Sequence, residues 1–386
     1  MTEASFTVRI VSSIARVGAD AWDALVGDDD PFVEHAFLCA LEESGSVGAG
    51  TGWHPAHLLI EEGDRLVAAV PLYEKTHSYG EYIFDFAWAN AAHRARIPYY
   101  PKLVVAVPFT PATGRRLLRA SSLDARAAAA RVAPALSKVC EEAGVSSVHA
   151  LFLADDEVDA LTAHPRFHRR ETHQFRFDNP GVSSFDALLE RFRSSARKQV
   201  RRERRAVAES GLSIDVLAGE EIQASHLDRM YELYVDTCDR KGSHPYLTRA
   251  FFEIAAERLR DRMVLVTARD GARVVAASMS FEKGRHLYGR YWGADHDYDA
   301  LHFELCYYRL LERAISRGYA RVEAGAQGSH KLKRGFLPSV VYSAHAFAHP
   351  GLDAGVADYL AHEAEETRRV VEALTPHGPY RRDAGL

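Results

Sequence analysis

The chain contains no apolar run of eighteen residues, so no segment reads as a membrane-spanning helix. Its opening, MTEASFTVRI, has neither a basic stretch nor an apolar core, so no secretory leader is expected and a cytoplasmic protein is the reading. Cysteine is scarce: four residues in 386 (Cys39, Cys140, Cys238 and Cys306) lie too far apart for a zinc site or a compact disulfide framework. Buried thiols in a reducing compartment are expected instead. The motifs that would announce familiar chemistry are missing too. No GxSxG is present and no cysteine sits in a reactive motif, so a nucleophilic triad is not supported. Despite 19 histidines there is no HExxH and no close His/Cys cluster, so no metal is expected. An excess of positive charge is also lacking. The net charge is −5, which excludes a general nucleic-acid binder and leaves any polyanion to be met locally.

What is present is an ordinary globular composition, 47% hydrophobic and 26% charged, with length enough for two domains. One pattern of elements runs twice along it. In the first half, residues 57–61 and 66–72 read as a hairpin around EEGD, followed by a strand at 103–107, an alanine-rich helix at 124–142, a strand at 147–153, a short helix at 155–164 and a strand at 173–177. In the second half a hairpin around RDGA (264–268 and 273–281) precedes a strand at 287–292, a helix at 305–317, a strand at 321–324, a short helix at 329–334 and a strand at 340–347. DRLVAAVPLYEK matches GARVVAASMSFEK, and CEEAGVSSVHALF matches ISRGYARVEAG. The fold class is therefore α/β (α+β), two tandem domains, each a mixed sheet covered by helices. The boundary is placed near residues 179–181, where NPG interrupts the pattern, which gives domains 1–180 and 181–386. A helix over 353–374 is expected to pack on the second domain, and the last residues to fray.

Five stretches could carry chemistry. The run 191–205, RFRSSARKQVRRERR, holds eight basic residues and one acidic one. It reads either as a solvated helix balanced by acidic neighbours or as a seat for a phosphate-rich ligand (a nucleotide, a tRNA or an anionic lipid carrier), with Arg197 and Lys198 as anchors. The loop PFTPATGRR, with Thr110, Thr113, Gly114, Arg115 and Arg116, could cradle a phosphate on backbone amides, or be a structural turn, since the glutamine- or arginine-plus-GxG fingerprint for coenzyme A is missing. The aromatic stretches GEYIFDFAWA (80–89) and YYPKL (99–103) read as a strand pair. Asp85, Tyr99, Tyr100 and Lys102 are then either core or substrate-binding. The loop DTCDRKGSHPYLT offers Lys241, His244 and Tyr246 to a ligand, or merely connects two helices.

The segment GAQGSHKLKRGF is the fifth. Acyl transfer to an amine requires a proton acceptor, stabilisation of the carbonyl oxygen and positioning of two reactants. Glu323 or His330 could take the proton. Lys331, Lys333 or Arg334 could hold a phosphate or the oxyanion, with Gln327 and Arg334 binding substrate. The loop DHDYDALHFE, by contrast, has four acidic residues and should repel a pyrophosphate.

The stretches PFVEHAFLCALEESGSV, GEYIFDFAWA, YYPKL, AVPFTPATGRRLL, KGSHPYLT and GAQGSHKLKRGFLP, with the arginine-rich run, resemble the FemAB-like, peptidoglycan-biosynthesis-related N-acyltransferases. The resemblance covers about residues 31–366 and implies two tandem acetyltransferase-like (GNAT-like) domains. Characterised FemABX relatives move an amino acid from aminoacyl-tRNA onto the amine of a peptidoglycan precursor. In them, a lysine just before a glycine–aromatic element of the second domain assists at the reacting carbonyl, which Lys331 or Lys333, before Gly335 and Phe336, resembles. The long coiled-coil arm of some relatives is missing here. The expectation is an N-acyltransferase without a tightly bound cofactor, its donor aminoacyl-tRNA or acyl-CoA, its catalytic edge lining a cleft between two repeats. The competing expectation is a non-catalytic module that holds an anionic carrier or tRNA on residues 191–205.

Overall fold

A computed structural model describes residues 6–326 and 328–381. Its strands are β1 (Thr7–Val11), β2 (Trp53–Pro55), β3 (His57–Glu62), β4 (Arg65–Val70), β5 (Leu72–Lys75), β6 (Lys102–Val105), β7 (Leu118–Arg119), β8 (Ser147–Leu153), β9 (His168–Asp178), β10 (Ser213–Ala218), β11 (Met263–Asp270), β12 (Arg273–Lys283), β13 (His286–Ala294), β14 (Arg321–Glu323) and β15 (Leu337–Phe347). Two compact units result. The first comprises residues 1–173 and 340–369, the second 174–339 and 370–386. The division falls a few residues before the NPG expected as a boundary, and it is discontinuous.

In the first unit β1, β3, β4 and β7 form an antiparallel sheet. The order β2-β5-β6-β8-β15 forms another, in which β6 and β8 run parallel. Pro71, which has no N–H to give a ladder, separates β4 from β5 and sends them to different sheets. The helix Ala125–Glu142 starts where the sequence marks it, because the Asp124 carboxylate accepts the Ala127 N–H at 2.7 Å. Its apolar stripe (Val132, Ala133, Leu136, Cys140) is buried against Leu58, Ile60, Leu103 and Val148. Each such large aliphatic side chain contributes about 1.5–3 kcal/mol.

Two expectations fail in this unit. Residues 80–89 are not a strand. Residues 80–85 are irregular, and Phe86–Arg94 is a helix that buries Trp88 and Ala92. The C-terminal helix Pro350–Leu374 belongs to the first unit as far as Arg369. Charge explains the preference: Asp353 meets His168 at 2.9 Å, Glu363 takes both Nε and Nη2 of Arg170, and Arg368 grips Glu171.

The second unit orders its strands β10-β11-β12-β13-β14-β9, with β14 parallel to β13 and Arg176–Asp178 of β9 antiparallel to β14. The helix Ala224–Arg240 lies so close on β13 that a Cβ at Gly293 would sit 2.2 Å from the Leu233 carbonyl oxygen, which explains the glycine. Residues 375–381 do not fray. The Pro379 carbonyl accepts from the Arg193 N–H, the Tyr380 ring packs edge-on against Phe192, and its hydroxyl donates to the Gly335 carbonyl at 2.8 Å. Residues 382–386 lie outside the described residues.

Directly opposed on β8 and β15 are two buried imidazoles, His149 and His345, with their Nδ1 atoms 2.7 Å apart. Ser147 and Ser343 hold the two Nε2 atoms at 2.8 Å. The Nδ1–Nδ1 contact has room for one proton, so the two rings cannot both be charged. Burial, with Lys102 and Arg170 near His149 and with His149 and Arg170 near His345, keeps their pKa values well below the usual range. Unfolded imidazoles take up protons below about pH 6.5, whereas the folded pair does so only at much lower pH. The pair's contribution is therefore complete above about pH 6.5 and is lost as the pH falls, at up to about 1.4 kcal/mol per pH unit for each ring. His149→Gln with His345→Gln should flatten the acid limb: in urea unfolding the loss of stability between pH 7 and 5 will be smaller than in the wild type.

Candidate functional site

The second unit contains a pair of parallel strands that part. β13 and β14 pair only from His286↔Arg321 to Tyr288↔Glu323. β14 then ends, while β13 continues to Ala294. On its other side β13 meets β12 in the register Met279↔Tyr291 and Ser280↔Gly289, which leaves Arg290 as the extra residue of a β-bulge. At this fork lies a small cavity of about 90 Å³, lined among others by Ser280, Gly289, Arg290, Tyr291, His302 and Cys306.

The helical segment 301–316 covers the cavity. His302, Cys306 and Leu310, spaced i, i+4, i+8, face it. Between them Glu304–Tyr308 is a turn of π-helix, a feature common at functional sites. The Leu305 carbonyl is taken by the Ser278 hydroxyl at 3.0 Å. Ser280 is fully buried, and its hydroxyl has no hydrogen-bond partner among the described residues.

The short 3₁₀ segment Ser329–Arg334 places the two candidate lysines differently. Lys331 is buried and donates to the Gly325 carbonyl at 2.5 Å, whereas Lys333 is exposed. Burial lowers the Lys331 pKa to about 8; Cys306 and Glu323 oppose the shift and Arg290 adds to it. The ammonium thus stands among Cys306, Arg290 and Glu323, at the fork. Beside it the Tyr307 hydroxyl contacts His330 Nε2 at 2.8 Å. Burial and the charges of Arg334 and Lys331 lower the His330 pKa, so this imidazole is neutral near pH 7 and can accept a proton. Burial, with His330 and Lys241 the next contributions, lowers the His302 pKa to about 3. Burial pushes the Cys306 thiol up, so it is not a nucleophile here.

Arg334 does not face the cavity. It takes both oxygens of Glu203 (2.7 and 3.2 Å), donates to the His330 carbonyl and covers the Phe303 ring. Glu203 also accepts from Tyr308. This pair ties the Ser329–Arg334 turn to the helix Ser194–Glu209 and so sets where Lys331 and His330 stand. Lys241 is exposed at the end of the helix Ala224–Arg240, close enough to influence His302 and Cys306. His244 lies exposed in the following connector, and Tyr246 is half-buried with its N–H on the Tyr234 hydroxyl. Gln327 lies outside the described residues.

In the first unit the loop read as either a phosphate cradle or a structural turn is filled by its own chain. β6 and β8 are also parallel, but Gly114 bridges to Leu153 and donates its N–H to the Phe152 carbonyl. Thr110 is buried with its hydroxyl on the Pro108 carbonyl. A Cβ at Gly114 would sit 2.0 Å from Asp30 Oδ2, and Asp30 in turn binds the buried Arg116 at 2.8 Å. Thr113 is half-buried, and Arg115 is half-buried with its guanidinium against Gly27. This loop is a packed plug, and its glycine makes room for a carboxylate rather than a pyrophosphate.

Asp85, Tyr99 and Lys102 form a sealed ionic cluster. Lys102 is fully buried and donates to Ser78 and Glu81, each at 2.9 Å, and to Asp85, which also accepts from Tyr99 at 2.6 Å. Tyr100, half-buried, contacts Ser78. Burial would raise the Asp85 pKa, but the Lys102 charge and hydrogen bonds outweigh it and leave it lowered. These groups are structural in the first unit, because every reach of Lys102 is already taken.

The basic run forms the helix Ser194–Glu209, and some of its charges are balanced by acidic neighbours. Arg197 pairs with Glu190 at 2.9 Å, and Arg204 with Glu304 and Glu312. Lys198, Arg201, Arg202 and Arg205 remain exposed at i, i+3, i+4, i+7, one continuous stripe. Within it, among the described residues, only Arg201 reaches a carboxylate, Glu190 at 3.4 Å.

The site residues missed by sequence reasoning are Arg290, His302, Cys306, Tyr307 and Ser280. The helical spacing of His302, Cys306 and Leu310 was a usable signal. Arg290 had none, because a bulge leaves no mark in strand periodicity.

The fold is that of tandem GNAT-like proteins. The chain resembles FemX at 11% identity (TM-score 0.51, covering 88% of this chain and 96% of that one). It also resembles a C-terminal DUF2156 domain from Agrobacterium fabrum at 10% identity (TM-score 0.53, 91% and 97% covered). A tandem GNAT protein from the clavulanic acid biosynthesis pathway matches at 12% identity with a TM-score of 0.46, covering 90% and 99%. No curated protein matches the chain. The profile of the FemAB-like family, described as peptidoglycan biosynthesis/recognition, matches residues 13–382, and the chain belongs to that family.

Two outcomes check this geometry. Lys102→Met leaves Glu81 and Asp85 buried without their counter-charge, and should cost about 3–5 kcal/mol in urea unfolding. For Lys331, ¹³C-methyl NMR of the reductively methylated protein should show one resonance titrating at about pH 8, missing in Lys331→Arg.

Proposed function

We propose that the chain is an N-acyltransferase whose chemistry takes place at the fork of β13 and β14. The observation that carries this reading is Lys331, buried beside the cavity with its pKa lowered to about 8 and with Arg290 close by. In the reaction the acceptor amine nitrogen attacks the carbonyl carbon of the donor. A tetrahedral oxyanion forms, then collapses and expels the donor's oxygen or sulfur. Lys331 as an ammonium, aided by Arg290, donates to the oxyanion in a site largely shielded from water. The amine proton passes to neutral His330, directly or through water, with Glu323 as the other acceptor in reach, and from there to the leaving group. Lys241, exposed and near enough to influence His302 and Cys306, adds positive charge near the site. No covalent enzyme intermediate and no resident cofactor is invoked.

The donor is an aminoacyl-tRNA or an acyl-CoA thioester, and the acceptor an amine on a small molecule, a peptide or a peptidoglycan precursor, in the cytoplasm. The membership in a peptidoglycan biosynthesis/recognition family supports the last acceptor. The stripe Lys198, Arg201, Arg202 and Arg205 supports a phosphate-rich donor such as tRNA. The same stripe favours the second reading, a non-catalytic module that holds such a carrier.

Purified protein is tested by thermal shift and by transfer assays with charged tRNA and with acyl-CoA thioesters. One donor should raise the melting temperature and support acyl transfer to an amine; if neither shifts the protein, the donor assignment is wrong. Lys331→Ala should lower kcat by about 10²–10³, the scale of one lost oxyanion donor, while Lys333→Ala should stay near wild type. Because the ammonium is the working form, kcat should fall as pH rises through about 8. A rate that rises there would make Lys331 a base instead. RNA retention that depends on the stripe, with no transfer from any donor, would favour the binding module.

A further inference from the structure

Residues 79–86 of the first unit, YGEYIFDF, are arranged inside out. Their carboxylates point inward: Glu81 and Asp85 are buried on Lys102. Their rings point outward: Tyr79 is 60% exposed, Phe84 41% and Phe86 39%. The rings touch one another, Phe84 stacked on Phe86 at 5.4 Å and Tyr79 at 5.7 Å from Phe86. They are among the few large apolar side chains exposed in the described residues.

This display is held rigid from beneath. The Tyr79 carbonyl accepts from Lys75, the Gly80 carbonyl from the Phe109 N–H, and the Phe84 carbonyl from Arg170. Contiguous exposed aromatics on a pinned backbone mark a surface built for an apolar partner. Charge narrows the partner. Within residues 76–101 the only carboxylates are the two turned inward, and the exposed full charges are Arg94 and Arg96, which have no ion pair among the described residues. Phe86, Asn90 and Arg94 follow each other along one exposed face of the helix Phe86–Arg94. At the far edge Tyr359 is also exposed, and the neighbouring Glu363 is neutralised by Arg170.

We propose that this surface docks the protein onto an anionic lipid bilayer. The rings enter the interface, where amphipathic and apolar aromatics are favoured, and the two guanidiniums meet lipid phosphates. Docking of this kind is peripheral and reversible, since the described residues include no helix long and apolar enough to span a membrane. The proposal concerns the first unit and stands apart from the acyl-transfer site.

The test is sedimentation of the full chain with vesicles of phosphatidylcholine alone and with vesicles containing about one third phosphatidylglycerol. Retention on the anionic vesicles should exceed that on neutral ones by at least about fivefold and should weaken with added salt. Phe84→Ser with Phe86→Ser should abolish it, and Arg94→Glu with Arg96→Glu should reduce it to the neutral-vesicle level. Circular dichroism checks that both variants are folded, and because the two variants change different groups, either alone suffices. No retention on anionic vesicles overturns the proposal, as does equal retention by the folded variants. Concentration-dependent self-association that Phe84→Ser with Phe86→Ser removes, without lipid binding, would assign the surface to a second copy of the chain instead.

Discussion

The site rests on one local constraint, the brief pairing of two parallel strands. β13 and β14 share three residue pairs before β14 stops. Beyond that point β13 keeps its ladder with β12 but has no strand partner on the β14 side among the described residues, and a cavity opens there. The side chains lining it were positioned elsewhere, Arg290 by the bulge against β12 and Cys306 and His302 by the helix above, and Lys331, near Cys306 and Arg290, is positioned by the turn Ser329–Arg334. That turn is in turn anchored by Arg334 on Glu203. A glutamate in the middle of an arginine-rich helix thus helps to position a lysine far from it in sequence.

The first unit shows what happens when the same fork is closed. Its parallel strands β6 and β8 are followed by a loop that returns to bridge Leu153 through Gly114, with Asp30 and Arg116 locked behind it. Buried charged groups in that unit are consumed by one another. Lys102 with Glu81 and Asp85, and Arg119 with Asp156 and Glu157, leave little to offer a ligand. Buried ion pairs of this kind give modest net stability but penalise any arrangement that separates them. They fix the geometry of the surface they underlie, including the outward-facing rings of residues 79–86.

Much of the fold was legible because it follows local rules. Asp124 and Gly144 bracket the alanine-rich helix, the EEGD and RDGA turns announce their hairpins, and the two halves share an order of elements. Legibility ended where side chains behave against type. Residues 80–89 alternate like a strand, yet Lys102 draws Glu81 and Asp85 inward and the chain leaves extended geometry. Thr110 to Arg116 have the composition of an anion loop, but Asp30, distant in sequence, fills the space. The C-terminal helix went to the first unit through pairs with residues 168–171, partners that no periodicity reveals.

By itself, the sequence determined the two tandem α/β units and marked residues 323–334 as a candidate for chemistry. These depend on turn residues, caps and hydrophobic period, which act over a few positions. Tertiary structure alone decided which of the two lysines is inside. Lys331 and Lys333 are two apart on a 3₁₀ turn and equivalent in composition. The Arg334–Glu203 pair and the burial of Leu332, with the contacts of Lys331 to Gly325 and Tyr307 to His330, orient that turn so that Lys331 is buried and Lys333 faces solvent. The lowered pKa follows from the same burial, so it too is a property of the folded chain and not of the motif.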